Sequence, residues 1–147
     1  MSTVIFTKGL PASGKSTWAK AWAAEQPGRV RINCNDLRAM MGCERFQNER
    51  EAIVLAASLN ILKNSLRLGR DVVCDNTNLN PQTLKHYTDI CQQAGAAVKF
   101  RTFFTSPDEC IRRDSQREHP VGAEIIMTMW ARHKKELTPP KESARNV

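Results

Sequence analysis

A glycine-rich segment near the amino terminus carries the clearest chemistry in the chain. Residues 9–16 read Gly-Leu-Pro-Ala-Ser-Gly-Lys-Ser, which matches the pattern G-x-x-x-x-G-K-[ST] of a phosphate-binding loop. Glycines at the two ends of such a loop let successive backbone N–H groups turn inward toward an anion, and the helix that follows adds a partial positive charge. The segment therefore predicts a site for the phosphates of ATP or GTP.

The residues of this loop have separate expected roles. Lys15 would neutralise charge on the β- and γ-phosphates, and the Ser16 hydroxyl would be a ligand of Mg²⁺. The loop residues expected to bind the nucleotide are Gly9, Ser13, Gly14, Lys15, Ser16 and Thr17. A chance glycine-rich turn is the alternative, but a strand pattern before the segment and a helix pattern after it favour the phosphate loop.

A second polar segment, residues 33–38, follows a short apolar run and reads Asn-Cys-Asn-Asp-Leu-Arg. Doubly wound folds bind their ligands at the carboxyl ends of strands, where this segment is expected. Phosphoryl transfer to a hydroxyl needs a carboxylate to accept the proton, and Asp36 is the nearest candidate. Arg38 can hold an acceptor phosphate by bidentate hydrogen bonds. Alternatively, Asn35 or Asp36 is a helix N-cap and Arg38 is a solvated charge.

Asp75 and Asn78 follow a third apolar run. A carboxylate at the end of a buried strand can orient the magnesium shell or Ser16, so Asp75 is a candidate metal-site residue. The alternative for Asp75 is a strand-ending cap. Asn78 either holds its loop in place or contacts the acceptor strand.

Short β-rich runs alternate with longer helical stretches, which predicts an α/β fold with a parallel sheet. The predicted strands are residues 3–7, 30–33, 71–75 and 98–104. The predicted helices are residues 14–26, 37–41, 48–68, 80–95, 106–117 and 122–137. We expect one domain over residues 1–137 and a mobile tail over residues 138–147, which contain two prolines and mixed charges.

Composition adds weaker constraints. The formal charge of +7 favours a polyanionic partner such as nucleic acid. Five cysteines without a C-x-x-C pair suggest neither a disulfide framework nor a zinc site. No apolar run approaches the ~20 residues of a membrane-spanning helix, and no secretory signal is visible, so we expect no membrane association and a cytoplasmic location.

Three segments together resemble a known family. Residues 9–18, residues 33–38 and the run Asp-Asn-Thr-Asn-Leu-Asn-Pro at 75–81 closely resemble the 5′-hydroxyl polynucleotide kinase domain of phage end-healing enzymes. The resemblance implies a three-layer P-loop kinase fold with a four-stranded parallel sheet in the order 2-3-1-4 and a helical lid. It also implies nucleic acid repair chemistry: Mg²⁺-dependent transfer of the γ-phosphoryl group of ATP or GTP to a 5′-OH end of DNA or RNA, in the cytoplasm of a bacterial host if the protein is phage-encoded.

The resemblance also assigns residues. Arg113 and Arg117 lie on one predicted helix, four residues apart and so on one face. By resemblance they belong to the lid and bind the phosphates, whereas a solvated helix face is the alternative. Arg38 would clamp the acceptor, with Asn35 and Asn78 nearby.

One departure from the family pattern concerns the general base. The family has an aspartate three residues before the clamping arginine, but this chain has Asn35, whose amide cannot take the proton. Three explanations stay open: an engineered substitution that disables catalysis, a natural silent variant, or a shift of the base role to Asp36. A small-molecule kinase and a non-catalytic, nucleotide-dependent nucleic-acid-binding module are the rival functions.

Overall fold

A computed structural model describes residues 1–42 and 48–141. Its strands are β1 (Thr3–Lys8), β2 (Val30–Ile32), β3 (Val72–Cys74) and β4 (Ala97–Thr102). Its helices are α1 (Lys15–Glu25), α2 (Cys34–Met40), α3 (Asn48–Arg67), α4 (Pro81–Gln93), α5 (Pro107–Asp114) and α6 (Ala123–Leu137).

The four strands form one parallel sheet in the order β2-β3-β1-β4, as predicted. β1 lies between two partners, and its Phe6 pairs with Cys74 on one side and Phe100 on the other. Because all strands run the same way, their carboxyl ends meet at one edge of the sheet. The loop after β1, the start of α2 and Asp75 therefore come together there.

Alternation along the strands places apolar side chains on both faces of the sheet. Val4 and Phe6 lie in a buried cluster with residues of β3, α3 and α4; its buried members are Val4, Phe6, Ile32, Leu62, Val72, Cys74, Tyr87 and Cys91. The helix α1 contacts β2, and the intervening residue Val73 is buried outside that cluster. Helices on both faces make the three-layer architecture that the sequence predicted.

A second buried cluster belongs to the helices that follow the sheet. It contains Leu10, Leu79, Cys110, Ile126 and Leu137. Leu10 comes from the loop after β1, so this cluster packs α5 and α6 against the phosphate loop. The packing places the predicted lid next to the nucleotide site.

Two element boundaries differ from the predicted ones in ways that affect the site. The short helix predicted over 37–41 begins three residues earlier, at Cys34, because Asn33 caps it by accepting a hydrogen bond from the Asp36 N–H. The N-cap is therefore Asn33, and neither Asn35 nor Asp36. The helix predicted to run to residue 117 ends at Asp114, with Ser115 as its C-cap.

The predicted tail is described only in part, since residues 142–147 lie outside the described residues. Cys43 also lies outside them, and the other four cysteines are free thiols. Over residues 1–42 and 48–141, no helix combines the length and the apolar character needed to cross a membrane.

Candidate active site

The phosphate loop connects β1 to α1 through residues in left-handed backbone conformations. Ala12 has φ 62° and Gly14 has φ 102°. Glycine adopts this backbone region easily, whereas residues with a side chain adopt it only at a cost in free energy. Gly14 is the N-cap of α1, and no side chain caps this helix. The first N–H groups of α1 are thus available to an anion, which is the arrangement that binds phosphate.

Position 9 has no room for a side chain, because Ser13 and Phe103 lie close to its Cα. A Cβ added there would lie 2.6 Å from Ser13 Oγ and 3.2 Å from Phe103 Cβ. Phe103 follows β4, and its N–H donates to the Lys8 carbonyl at 2.7 Å. The loop is therefore packed against the residues that leave the neighbouring strand, which explains why its first position is glycine.

Lys15 is buried within this loop. Its ammonium donates to the carbonyls of Gly9 and Leu10 at 3.1 and 2.6 Å and lies 3.3 Å from Ser13 Oγ. Burial lowers the pKa of Lys15 from 10.5 to about 8, an effect that the nearby Asp75 carboxylate partly opposes. An anion bound in the loop would favour the charged form of this amine and so raise its pKa again.

Asp75 lies at the end of β3 and is 1% exposed. Its Oδ2 accepts hydrogen bonds from Arg31 Nε at 2.8 Å and from Asn33 Nδ2 at 3.3 Å, and it forms an ion pair with Arg31 Nη2 at 2.7 Å. Its Oδ1 is buried and has no hydrogen-bond partner among the described residues. Burial acts to lower the pKa of Arg31, but the hydrogen bonds to Asp36 and Asp75 outweigh it and raise that pKa.

The unpartnered Oδ1 is the observation that fits a metal ion. Asp75 and Ser16 line the same cleft, and carboxylate and hydroxyl oxygens are the hard ligands that Mg²⁺ takes. A buried carboxylate oxygen without a partner is costly unless a cation or donor satisfies it. These residues therefore suit Mg²⁺ beside the phosphate loop.

The acceptor side of the cleft is built on α2 and α3. Arg38 Nη1 donates to Asn35 Oδ1 at 2.7 Å, a contact that their spacing of three residues on a helix permits. Arg38 Nε and Nη2 donate to the two carboxylate oxygens of Glu51 at 2.8 and 2.5 Å. Glu51 thus orients the arginine that the sequence assigns to the acceptor.

A profile for the family described as the AAA domain matches residues 4–140. The chain belongs to this family. The match spans the phosphate loop, the Asp75 region and the lid of this AAA domain protein. It confirms the predicted family at the level of a P-loop domain with a nucleotide-binding loop.

Solved structures share the fold at low identity. A chain of the Pnkp1/Rnl/Hen1 RNA repair complex is 22% identical over 97% of this chain, with a TM-score of 0.76. The Mycobacterium tuberculosis APS kinase CysC, solved with AMPPNP and APS, is 16% identical over 99% of this chain and 84% of its own, with a TM-score of 0.60. A Sinorhizobium meliloti gluconokinase is 18% identical over 97% of this chain and 77% of its own, with a TM-score of 0.52. The AAA domain protein spans 50% of the repair-complex chain. These likenesses establish a P-loop kinase fold.

Most predicted site residues line one cleft of the AAA domain protein. These are Ser13, Gly14, Lys15, Ser16, Thr17, Asn35, Arg38, Asp75, Asn78, Arg113 and Arg117. Asp36 is the exception on the acceptor side. It is not among the cleft-lining residues, and its carboxylate instead accepts a 2.6 Å hydrogen bond from Arg31 Nη1.

Asn78 has a clear structural role. Its amide nitrogen donates to the carbonyls of Thr7, Cys74 and Asn76 at 2.6, 2.9 and 3.2 Å, and its backbone has φ 51°. These bonds join the ends of β1 and β3 beneath the cleft. Contact between Asn78 and an acceptor stays a prediction.

The two lid arginines do not share a helix. Arg113 is in the last turn of α5 and donates to Glu109 at 2.9 Å, whereas Arg117 follows the helix and lies 3.4 Å from Asp114. The helix ends early because the Asp114 carboxylate accepts the backbone N–H groups of Val121 and Gly122 at 3.0 and 2.9 Å. The turn that follows brings Arg117 to the cleft, so the predicted i, i+4 helical face is wrong.

Sequence reasoning missed Arg31 and Glu51. Each is a charged residue with no motif around it, and its role depends on a partner distant in sequence. Arg31 pairs with Asp75, and Glu51 pairs with Arg38 across residues 43–47. The one available signal for Arg31 was a charge in the middle of a short strand between two apolar residues.

Proposed function

We propose that this AAA domain protein is a phosphotransferase that moves the γ-phosphoryl group of ATP or GTP to the 5′-hydroxyl of a DNA or RNA end. The observation that carries the proposal is one cleft of about 880 Å³, lined by the phosphate loop and also by Asn35 and Arg38. A donor and an acceptor bound in one cleft are held within reach of each other, and phosphoryl transfer depends mainly on such positioning.

The donor half of the cleft supplies positive charge. Backbone N–H groups at the start of α1 would bind the phosphates, and Lys15 would leave its loop carbonyls to contact them. Arg113 and Arg117 line the same cleft and would stabilise charge on the transferred group. Ser16 and Asp75 would hold Mg²⁺, which when bound neutralises charge on the phosphates.

The acceptor half supplies orientation. Arg38, fixed by Glu51 and Asn35, would contact a phosphate of the acceptor strand. Contacts of this kind read the phosphate backbone, so we expect little sequence preference. The net charge of +7 supports a polyanionic acceptor.

Residue 35 lines the same cleft as the phosphate loop, and we assign to it the position of the proton acceptor. An aspartate there could take the proton of the attacking hydroxyl, but Asn35 cannot. We therefore infer that this form of the protein transfers phosphate slowly, while its substrate-binding residues are complete.

Two other functions have specific support. The structural likeness includes proteins named as an APS kinase and a gluconokinase, which supports a small-molecule acceptor. Asn35 supports a non-catalytic module that binds nucleic acid in a nucleotide-dependent way.

The test is transfer of radiolabel from γ-labelled ATP or GTP to a 5′-OH oligonucleotide, with a 5′-phosphorylated oligonucleotide and the Lys15→Ala variant as controls. We expect weak labelling of the 5′-OH strand only, abolished by Lys15→Ala. A salt-sensitive oligonucleotide Kd without any labelling would favour the binding module. Absence of oligonucleotide binding at low salt would favour a small-molecule kinase.

A further inference from the structure

Arg31 occupies an unusual place for an arginine, in the middle of the edge strand β2. Its side chain is 15% exposed. The register pairs Arg31 with Val73, so Arg31 and Asp75 lie on the same face of the sheet because side chains alternate along a strand. The following residue, Ile32, enters the core on the opposite face.

Arg31 joins Asp75, a carboxylate that lines the cleft, to Asp36, a carboxylate on α2 that does not. Nε donates to one oxygen of Asp75 at 2.8 Å, Nη2 forms an ion pair with the same oxygen at 2.7 Å, and Nη1 donates to Asp36 at 2.6 Å. Asp75 is at the metal side of the phosphate loop, whereas Asp36 is in the first turn of α2, the helix that carries Asn35 and Arg38. The planar guanidinium is suited to such a bridge because its donors have a fixed geometry.

The two carboxylate oxygens of Asp75 differ in their contacts. Two hydrogen-bond donors, Arg31 Nε and Asn33 Nδ2, converge on Oδ2, and Arg31 Nη2 forms an ion pair with it. Oδ1 is left buried and unpartnered among the described residues, on a carboxylate that lines the cleft. The contacts to Oδ2 therefore orient the Asp75 carboxylate.

We propose that Arg31 is a positioning residue that presents Asp75 Oδ1 to the metal of a bound nucleotide and ties that carboxylate to the acceptor helix through Asp36. The proposal rests on the proposed function, in which Asp75 helps to hold Mg²⁺. Arg31 is not among the cleft-lining residues, so its proposed effect passes through the two aspartates.

The experiment measures nucleotide binding without turnover. The Kd of AMPPNP is determined by calorimetry with Mg²⁺ and with EDTA, for the parent chain and for Arg31→Ala, Arg31→Lys, Asp75→Asn and the Arg31→Ala/Asp75→Asn double variant. Arg67→Ala removes the same charge from the exposed end of α3 and is the matched control. Circular dichroism checks that each variant is folded at the assay temperature, and Arg31→Lys serves if Arg31→Ala does not fold.

Loss of a residue that orients a metal ligand typically weakens metal binding 10–100-fold. We therefore expect Arg31→Ala to weaken Mg-AMPPNP binding by about 10–100-fold and metal-free AMPPNP binding much less. Arg31→Lys should weaken Mg-AMPPNP binding nearly as much as Arg31→Ala does, because an ammonium group cannot bridge both aspartates. The double variant should lose no more than Asp75→Asn alone, since both changes act on one contact.

Three results would overturn the proposal, and they differ in whether the proposed function also fails. If Asp75→Asn weakens Mg-AMPPNP binding but folded Arg31→Ala and Arg31→Lys bind it like the parent, Arg31 has no positioning role and the proposed function stands. If Asp75→Asn itself has no effect, the metal assignment of Asp75 in the proposed function fails as well. Equal losses with Mg²⁺ and with EDTA would identify Arg31 as a general structural residue.

Discussion

Nucleotide binding should be coupled to proton uptake at Lys15. In the free protein the ammonium is buried against loop carbonyls, and its pKa falls from 10.5 to about 8. Phosphates beside the amine would favour its charged form and raise the pKa back toward its ordinary value of 10.5. Because the bound state holds the proton more tightly than the free state, affinity should be fully present below pH 8 and should fall as the pH rises through 8.

The size of the effect follows from these two values. One pKa unit corresponds to about 1.4 kcal/mol, so a fall from 10.5 to about 8 corresponds to about 3 kcal/mol of binding free energy. Affinity should decrease about tenfold for each pH unit above 8. Most of the free protein would carry neutral Lys15 at pH 9 and charged Lys15 at pH 7, so binding should take up more protons at pH 9 than at pH 7.

Calorimetry measures this uptake directly. Mg-AMPPNP is titrated at pH 7 and pH 9 in pairs of buffers with different ionisation enthalpies, and the difference in observed enthalpy gives the number of protons. Lys15→Met, which cannot titrate, is the control and should show no proton uptake that depends on residue 15. If the parent takes up no more protons at pH 9 than Lys15→Met does, Lys15 is not the buried, pKa-lowered amine described above.

Other perturbations test separate parts of the cleft. Arg38→Ala should weaken binding of a 5′-OH oligonucleotide without changing the Kd of the nucleotide, and equal losses for both ligands would indicate a structural arginine. Asn35→Asp should raise the rate of 5′-phosphorylation by about 10²–10⁴-fold, measured by radiolabel transfer at constant nucleotide affinity; an unchanged rate would remove residue 35 from the base position. Gly9→Ala places a Cβ 2.6 Å from Ser13 Oγ, and overpacking of this kind costs about 1–3 kcal/mol, so thermal unfolding should shift down by several degrees, whereas an unchanged Tm would show that the loop accommodates the methyl group.

Much of the fold could be predicted because local signals agree with the global one. A strand followed by a glycine-rich loop and a helix fixes the centre of the sheet, and caps such as Asn80 before Pro81 fix the start of α4. The start of α2 was missed because Asn33, Asn35 and Asp36 are all acceptable N-caps. The choice among them depends on tertiary contacts: the Asn33 amide also donates to the Asp75 carbonyl at 2.7 Å.

The site was predictable only where a motif implies a geometry. The sequence motif of the phosphate loop implies one backbone conformation, so Gly14 and Lys15 could be placed from the sequence. Contacts such as those of Glu51 with Arg38 join residues on different helices, and their separation along the chain matches no helix, strand or turn pattern. The position of Arg117 was predicted from helical periodicity, which failed because Asp114 bonds to the backbone beyond the helix.

The geometry of α2 bears on how the chain could act without an aspartate at residue 35. Residues 35 and 38 lie three apart and share one side of the helix, where Arg38 bonds to Asn35. Asp36, the residue after Asn35, is turned about 100° further around the helix, and its carboxylate is paired with Arg31. To act as the base, Asp36 would have to leave Arg31 and α2 would have to rotate, which would carry Arg38 away from Glu51. A simple shift of the base role to Asp36 therefore conflicts with the acceptor contact assigned to Arg38, and an intact binding cleft that lacks its proton acceptor accounts better for the same residues.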